Sequence, residues 1–130
     1  MSDPKRASIV GTWAIAAGLV TPLCGLWFSC GCDWPWNEFF WACNAIVKNT
    51  PPPHCPWCVY QLTAVMSIGV GLVLGTFAAW NVRACLSNAY AAILYRTGIG
   101  TAVFVGVLFL GGWLTALATI YPAFLGLRVN

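Results

Sequence analysis

Charge is what this sequence has least of. Of 130 residues only 7% are charged, with six Lys and Arg, three Asp and Glu, and one His; an ordinary soluble domain carries about 25%. The three carboxylates, Asp3, Asp33 and Glu38, all lie outside the long apolar runs. Ion and proton pathways place ionisable groups inside the spans, so the chain alone does not read as a transporter. There is no phosphate-cradling glycine loop, no Ser-His-Asp set and no dinucleotide fingerprint. The net charge of +3 comes from scattered cations, not from a basic patch, and this argues against nucleic acid as a partner. With two Met and one His, the chain has no Met-rich or His-rich metal-handling tract.

What is abundant is apolar sequence, at 60% of the chain. Residues 8–28, 59–80 and 97–121 are three runs almost free of charge. Each meets the roughly 20 residues a helix needs to cross about 30 Å of hydrocarbon, and in lipid a helix satisfies its own backbone. The expected fold is an all-α integral membrane protein with three transmembrane helices and a Cys/Trp-rich external loop between the first two. As a single domain it divides into a cytoplasmic tail 1–7, a first span 8–28, an external cap 29–58 and a second span 59–80. Residues 81–96 are expected as a cytoplasmic loop, an interfacial helix or the start of a long third helix; the third span is 97–121 and the external tail 122–130. Lys5, Arg6, Arg83 and Arg96 lie on one side of this layout, and Lys48 and Arg128 on the other. The positive-inside rule then puts the N-terminus in the cytoplasm and the cap in the periplasm of a bacterial inner membrane. No small-x-small cleavage site follows the first run, so it is expected to be retained.

Small residues mark the helix faces. Gly11, Gly18 and Gly25 recur every seven residues in the first span. Ser67, Gly71 and Gly75 form a small-xxx-small row in the second, and Ala102, Gly106, Gly112 and Ala116 line the third. Such residues let helices approach closely, either within the chain, against other membrane subunits, or in a homo-oligomer. Pro22 is expected to bend the first helix. Trp13, Trp27, Trp80 and Trp113 sit near span ends, as in aromatic belts at the lipid interface.

The chemistry is concentrated in the cap, CGCDWPWNEFFWACNAIVKNTPPPHCPWC, which holds five of the seven cysteines and the only histidine. Asn37 is placed to cap a short helix through Val47, and Pro51-Pro52-Pro53 extends the chain toward His54. Three readings of the thiols compete. In an oxidising compartment cysteines pair, and Cys24 with Cys30, Cys32, Cys43, Cys55 and Cys58 makes an even six; the connectivity is not written in the sequence. In the second reading Cys55 and Cys58 are a redox dithiol. A CxxC at a helix mouth places its first sulfur by unpaired N–H groups that favour the thiolate, with Cys24, Cys30, Cys32 or Cys43 as relay thiols. The third is a metal site, in which Cys30, Cys32, Cys43, His54, Cys55 and Cys58 offer soft ligands to Zn(II) or Cu(I).

The segment Cys55-Pro-Trp-Cys58-Val-Tyr60-Gln61, at the outer start of the second span, resembles the DsbB family of disulfide-forming quinone reductases. The likeness is confined to this segment and its topological place. It implies a membrane thiol–disulfide oxidoreductase with Cys55 and Cys58 as the dithiol. The arginine that serves the quinone in that family is Leu62 here, and the family's second cysteine pair and fourth helix have no counterpart, so quinone use is not carried over. Two functions from different classes follow. One is a small thiol–disulfide oxidoreductase. The other is a non-catalytic accessory subunit of a larger energy-transducing or oxidoreductase complex, its cap held by structural disulfides. A Cu- or Zn-binding accessory role comes third.

Overall fold

The computed structural model describes residues 3–29, 55–83, 86–121, 123–125 and 127–128. The short helix expected over 37–47, the triple proline, and Cys30, Cys32, Cys43, His54 and Cys85 lie outside these. Three helices carry the fold: α1, Pro4–Phe28; α3, Gln61–Asn81; and α4, Ala89–Ala118. A single helical turn, α2, Pro56–Val59, precedes α3. One antiparallel pair follows α4, with β1, Ala123–Phe124, against β2, Leu127–Arg128. The fold is otherwise all-α, and each of the three long helices is long and apolar enough to cross a membrane.

Helix boundaries follow from caps. Asp3 Oδ1 accepts the Lys5 N–H at 3.0 Å, and Asn88 Oδ1 accepts the Tyr90 N–H at 2.9 Å. Each satisfies a first-turn donor that the helix itself leaves unpaired. Residues 89–96 are therefore the opening turns of α4. At 1.5 Å per residue its 30 residues make about 45 Å, well beyond the hydrocarbon thickness, whereas the 21 residues of α3 make about 31 Å. α1 continues through Pro22, as membrane helices tolerate.

The helices do not share all the limits of the spans read in the sequence: α1 starts at Pro4 rather than residue 8, and α4 at Ala89 rather than residue 97. α3 starts at Gln61 because Tyr60, at φ −103° and ψ 67°, breaks the helical path. α4 stops at Ala118, three residues early. There the Tyr121 N–H donates to Ala116 O at 2.9 Å and the Ile120 N–H to Leu117 O at 3.3 Å. Ile120 has a φ of 51°. This pair of bonds around a left-handed residue is a Schellman stop.

Contacts divide the chain into two compact units, Met1–Ala17 with Ile68–Leu108, and Gly18–Ser67 with Phe109–Asn130. In the first unit, small residues bring α1, α3 and α4 together. A Cβ on Gly75 would meet Gly100 O at 2.7 Å, and one on Gly71 would meet Leu108 at 2.9 Å. The Gly71–Gly75 row is thus filled by the chain's own α4. A Cβ on Gly11 would meet Thr97 Oγ1 at 3.1 Å, while Gly106 has nothing within 4 Å. Ser8 and Thr12 are fully buried and Thr97 nearly so. Ser8 O accepts from Thr12 Oγ1 at 2.9 Å and from Thr97 Oγ1 at 3.3 Å, a polar seam of the kind that joins membrane helices. Arg96 finishes α3 by donating to Ala79 O and Trp80 O, each at 3.2 Å. Lys5 Nζ lies 4.8 Å from the centre of the Trp80 ring.

The second unit is aromatic. Trp27, Phe28, Trp57, Phe109, Tyr121 and Phe124 form a chain of ring contacts with centroids 5.5–6.1 Å apart. Trp27, expected in an interfacial belt, is only 4% exposed, because it packs into this cluster. Such pairs add about 0.5–1.5 kcal/mol each beyond their buried area. Within the same unit Gly18 has nothing within 4 Å of a Cβ position, whereas a Cβ on Gly112 would come close to the Phe124 ring at 3.3 Å and the Trp57 ring at 3.4 Å.

Candidate functional site

The Cys55-Pro56-Trp57-Cys58 motif forms α2 almost by itself. Pro56 opens the turn, where a missing N–H is no loss and its φ is already helical. Cys55 is the N-cap residue, at φ −54° and ψ 126°. Its carbonyl accepts from the Cys58 N–H at 3.0 Å and the Val59 N–H at 3.1 Å. Cys55 and Cys58 therefore stand three residues apart on one turn. Trp57 between them anchors it: buried, it meets Trp27 and Phe28 edge-on at 6.1 and 5.5 Å.

The other wall is the last turn of α1. Cys24 and Phe28 are four residues apart and so share a helix face. Phe28 meets Trp57, and Cys24 meets Cys55, with 3.4 Å between the two sulfurs. The end of α1 is held from the tail. Tyr121 Oη donates to Phe28 O at 2.8 Å, and the Leu125 N–H donates to Trp27 O at 2.9 Å. These are carbonyls that a helix terminus leaves without partners. The tail thus completes α1 next to Cys24. The indole N–H of Trp57 is buried with no partner among the described residues, so Trp57 is placed there by its ring contacts.

Exposure separates the three thiols. Cys55 is 0% exposed and Cys24 7%, whereas Cys58 is half-buried. No bond joins Cys24 and Cys55; their sulfurs are in hydrogen-bond contact.

No family model, curated protein or solved structure matches this chain.

The sequence places Cys55 at the mouth of the second long helix. It caps a four-residue turn instead, and Tyr60 separates this turn from α3, whose Thr63 N–H bonds to Tyr60 O at 3.0 Å. Its side chain makes no capping bond. What distinguishes Cys55 from Cys58 is burial: Cys55 is fully buried and Cys58 only half-buried.

Of the expected metal ligands, Cys30, Cys32, Cys43 and His54 lie outside the described residues. Among those described, no three His, Cys, Asp or Glu side chains converge as a metal requires. Sequence reasoning grouped Cys24 with the cap thiols without choosing its neighbour. Its only sign was the spacing to Phe28. Ser8, Thr12, Thr97 and Gly100 were missed, since isolated small polar residues and a lone glycine pair carry no periodic signal.

Proposed function

We propose that this is a small membrane thiol–disulfide exchange protein of the bacterial inner membrane, acting through Cys55 and Cys58 on the periplasmic side. The observation that carries the reading is the asymmetry of one turn, a fully buried Cys55 beside a half-buried Cys58. Exchange needs that arrangement, because the outer sulfur must be attacked while the inner one leaves. In the oxidised form Cys55 and Cys58 share a disulfide. A thiolate of a dithiol polypeptide attacks Cys58 Sγ, the Cys55–Cys58 bond breaks, and Cys55 departs as thiolate. The substrate's second thiol then attacks the mixed disulfide and releases Cys58. The substrate gains a disulfide, and two electrons and two protons reside on Cys55 and Cys58. A second, disulfide-bearing partner restores the protein by the reverse steps. The local resemblance to DsbB-type oxidoreductases supports the dithiol role. Leu62 stands where that family has its quinone-serving arginine, so the returning oxidant is taken as a disulfide.

The test uses full-length protein in nanodiscs with a fluorogenic dithiol peptide and excess oxidised glutathione. Wild type should accelerate peptide oxidation, and C58S should drop to the uncatalysed rate. Unchanged turnover in C58S would remove the proposal.

A second reading, the non-catalytic subunit of a larger membrane complex, is favoured by Gly18 and Gly106, where a Cβ would have nothing within 4 Å. Faces of small residues with free space accept a neighbouring helix. If partner chains co-purify in mild detergent and G106L releases them, this reading displaces catalysis.

A further inference from the structure

The thiol that the exchange reading leaves without a task is Cys24. We propose that Cys24 is the third sulfur of the exchange site, which takes the disulfide from Cys58 and stores it as a sealed Cys24–Cys55 bond. This rests on the Cys55–Cys58 reading and extends it.

The geometry supplies the reason. Reacting atoms about 3–3.5 Å apart are within near-attack distance, and the Cys24 and Cys55 sulfurs are 3.4 Å apart. Thiol–disulfide exchange runs by attack of a thiolate on one sulfur of the bond while the other leaves. It therefore needs attacker, central sulfur and leaving sulfur strung out around Cys55, where a metal would need three sulfurs converging. No convergent three-ligand group occurs among the described residues. Cys55 is the central atom by position, since it touches Cys24 across 31 residues of sequence and shares a helical turn with Cys58.

The step balances without an outside oxidant. Cys24 thiolate attacks Cys55 Sγ; the Cys55–Cys58 bond breaks and the Cys24–Cys55 bond forms. Cys58 leaves as thiolate and takes up the proton that Cys24 gave up. The number of disulfides is unchanged, while the location of the bond is not. Before the step the oxidising equivalent sits on the half-buried Cys58. Afterwards it is held between sulfurs of residues that are 0% and 7% exposed. An adventitious small thiol meets only the reduced Cys58, and a substrate is oxidised only when the bond moves back. The same bond fastens the last turn of α1 to the turn ahead of α3, so the protein is stiffer when charged.

Disulfide mapping of the full-length protein tests this. Wild type and C24S are held in nanodiscs, oxidised with glutathione disulfide, alkylated and digested with chymotrypsin, which cleaves after Trp57 and so separates Cys55 from Cys58. In wild type we expect a Cys24–Cys55 cross-link with Cys58 alkylated, and in C24S a Cys55–Cys58 cross-link. The wild-type bond should be reduced by a bulky impermeant phosphine about tenfold more slowly than that of C24S, because access limits reduction of a buried disulfide. A Cys55–Cys58 bond in both proteins, with Cys24 alkylated throughout, would overturn the storage role and leave the exchange reading intact. A Cys24–Cys55 bond in wild type with no Cys55–Cys58 bond in C24S would make it a fixed brace, and overturn both.

Discussion

Ile120 holds a conformation that its side chain resists. At φ 51° it lies in the left-handed region, where an L-residue loses about 1–2 kcal/mol and a β-branched one fits worst. Glycine is the usual occupant of this place in a Schellman stop. The strain is tolerated because the bonds on either side fix Tyr121, whose hydroxyl completes α1 beside the thiol site. Ile120 is 77% exposed, so truncation gives up little packing. I120G is therefore expected to stabilise the protein by about 1 kcal/mol, read as a higher midpoint in SDS titration from mixed micelles. A lower midpoint would mean that lipid or detergent contacts of the isoleucine outweigh the backbone term. The same residue explains why the end of α4 was misplaced in the sequence: nothing in Thr-Ile-Tyr announces a stop, since the stop is made by backbone bonds that isoleucine merely permits.

At the scale of elements, glycines of the same appearance have opposite surroundings. Gly75 is pressed against the carbonyl of Gly100, where a new Cβ would come within 2.7 Å of backbone that cannot swing aside. G75A is expected to destabilise by about 1–3 kcal/mol, the usual range for overpacking. Gly106 has free space, and G106A should move stability by no more than about 0.5 kcal/mol. Equal effects of the two in the SDS titration would contradict the packing described for α3 and α4. The three helices themselves were legible, because lipid demands long uncharged runs and this chain has three of them. The faces were legible only where spacing repeats, as in Ser67, Gly71 and Gly75. Gly100, which receives Gly75, is paired with Gly98 and breaks the four-residue rhythm. The thiol site was half legible. CxxC announces itself, but the Cys24–Cys55 contact spans 31 residues, and the break at Tyr60 is a choice of φ and ψ that the residue name does not carry.

At the scale of the whole molecule the proposed exchange depends on which way the chain faces, because a periplasmic substrate would need Cys58 in the periplasm. Four of the six cations, Lys5, Arg6, Arg83 and Arg96, belong to the side proposed as cytoplasmic, against Lys48 and Arg128. Two of the four gather at one place in the first unit: Lys5 stacks over the Trp80 ring, and Arg96 bonds the Trp80 carbonyl. A tryptophan flanked by cations is what a helix end at the headgroup level carries. Arg96 is tied to the end of α3, so its removal would confound orientation with stability. Lys5 and Arg6 are better targets, because neither makes a side-chain bond into the seam formed by Ser8, Thr12 and Thr97. Replacing both by Gln lowers the count from four against two to two against two, which erases the bias. We expect an impermeant maleimide, applied to intact reduced cells and located by peptide mapping, to label Cys58 nearly completely in the unaltered protein. In K5Q/R6Q the labelled share should fall to about half as orientations mix. Cys58 dark in intact cells but labelled in inverted vesicles would place the dithiol in the cytoplasm, where thiols are kept reduced. A stored disulfide would have no standing there, and the exchange reading would have to give way to the subunit one.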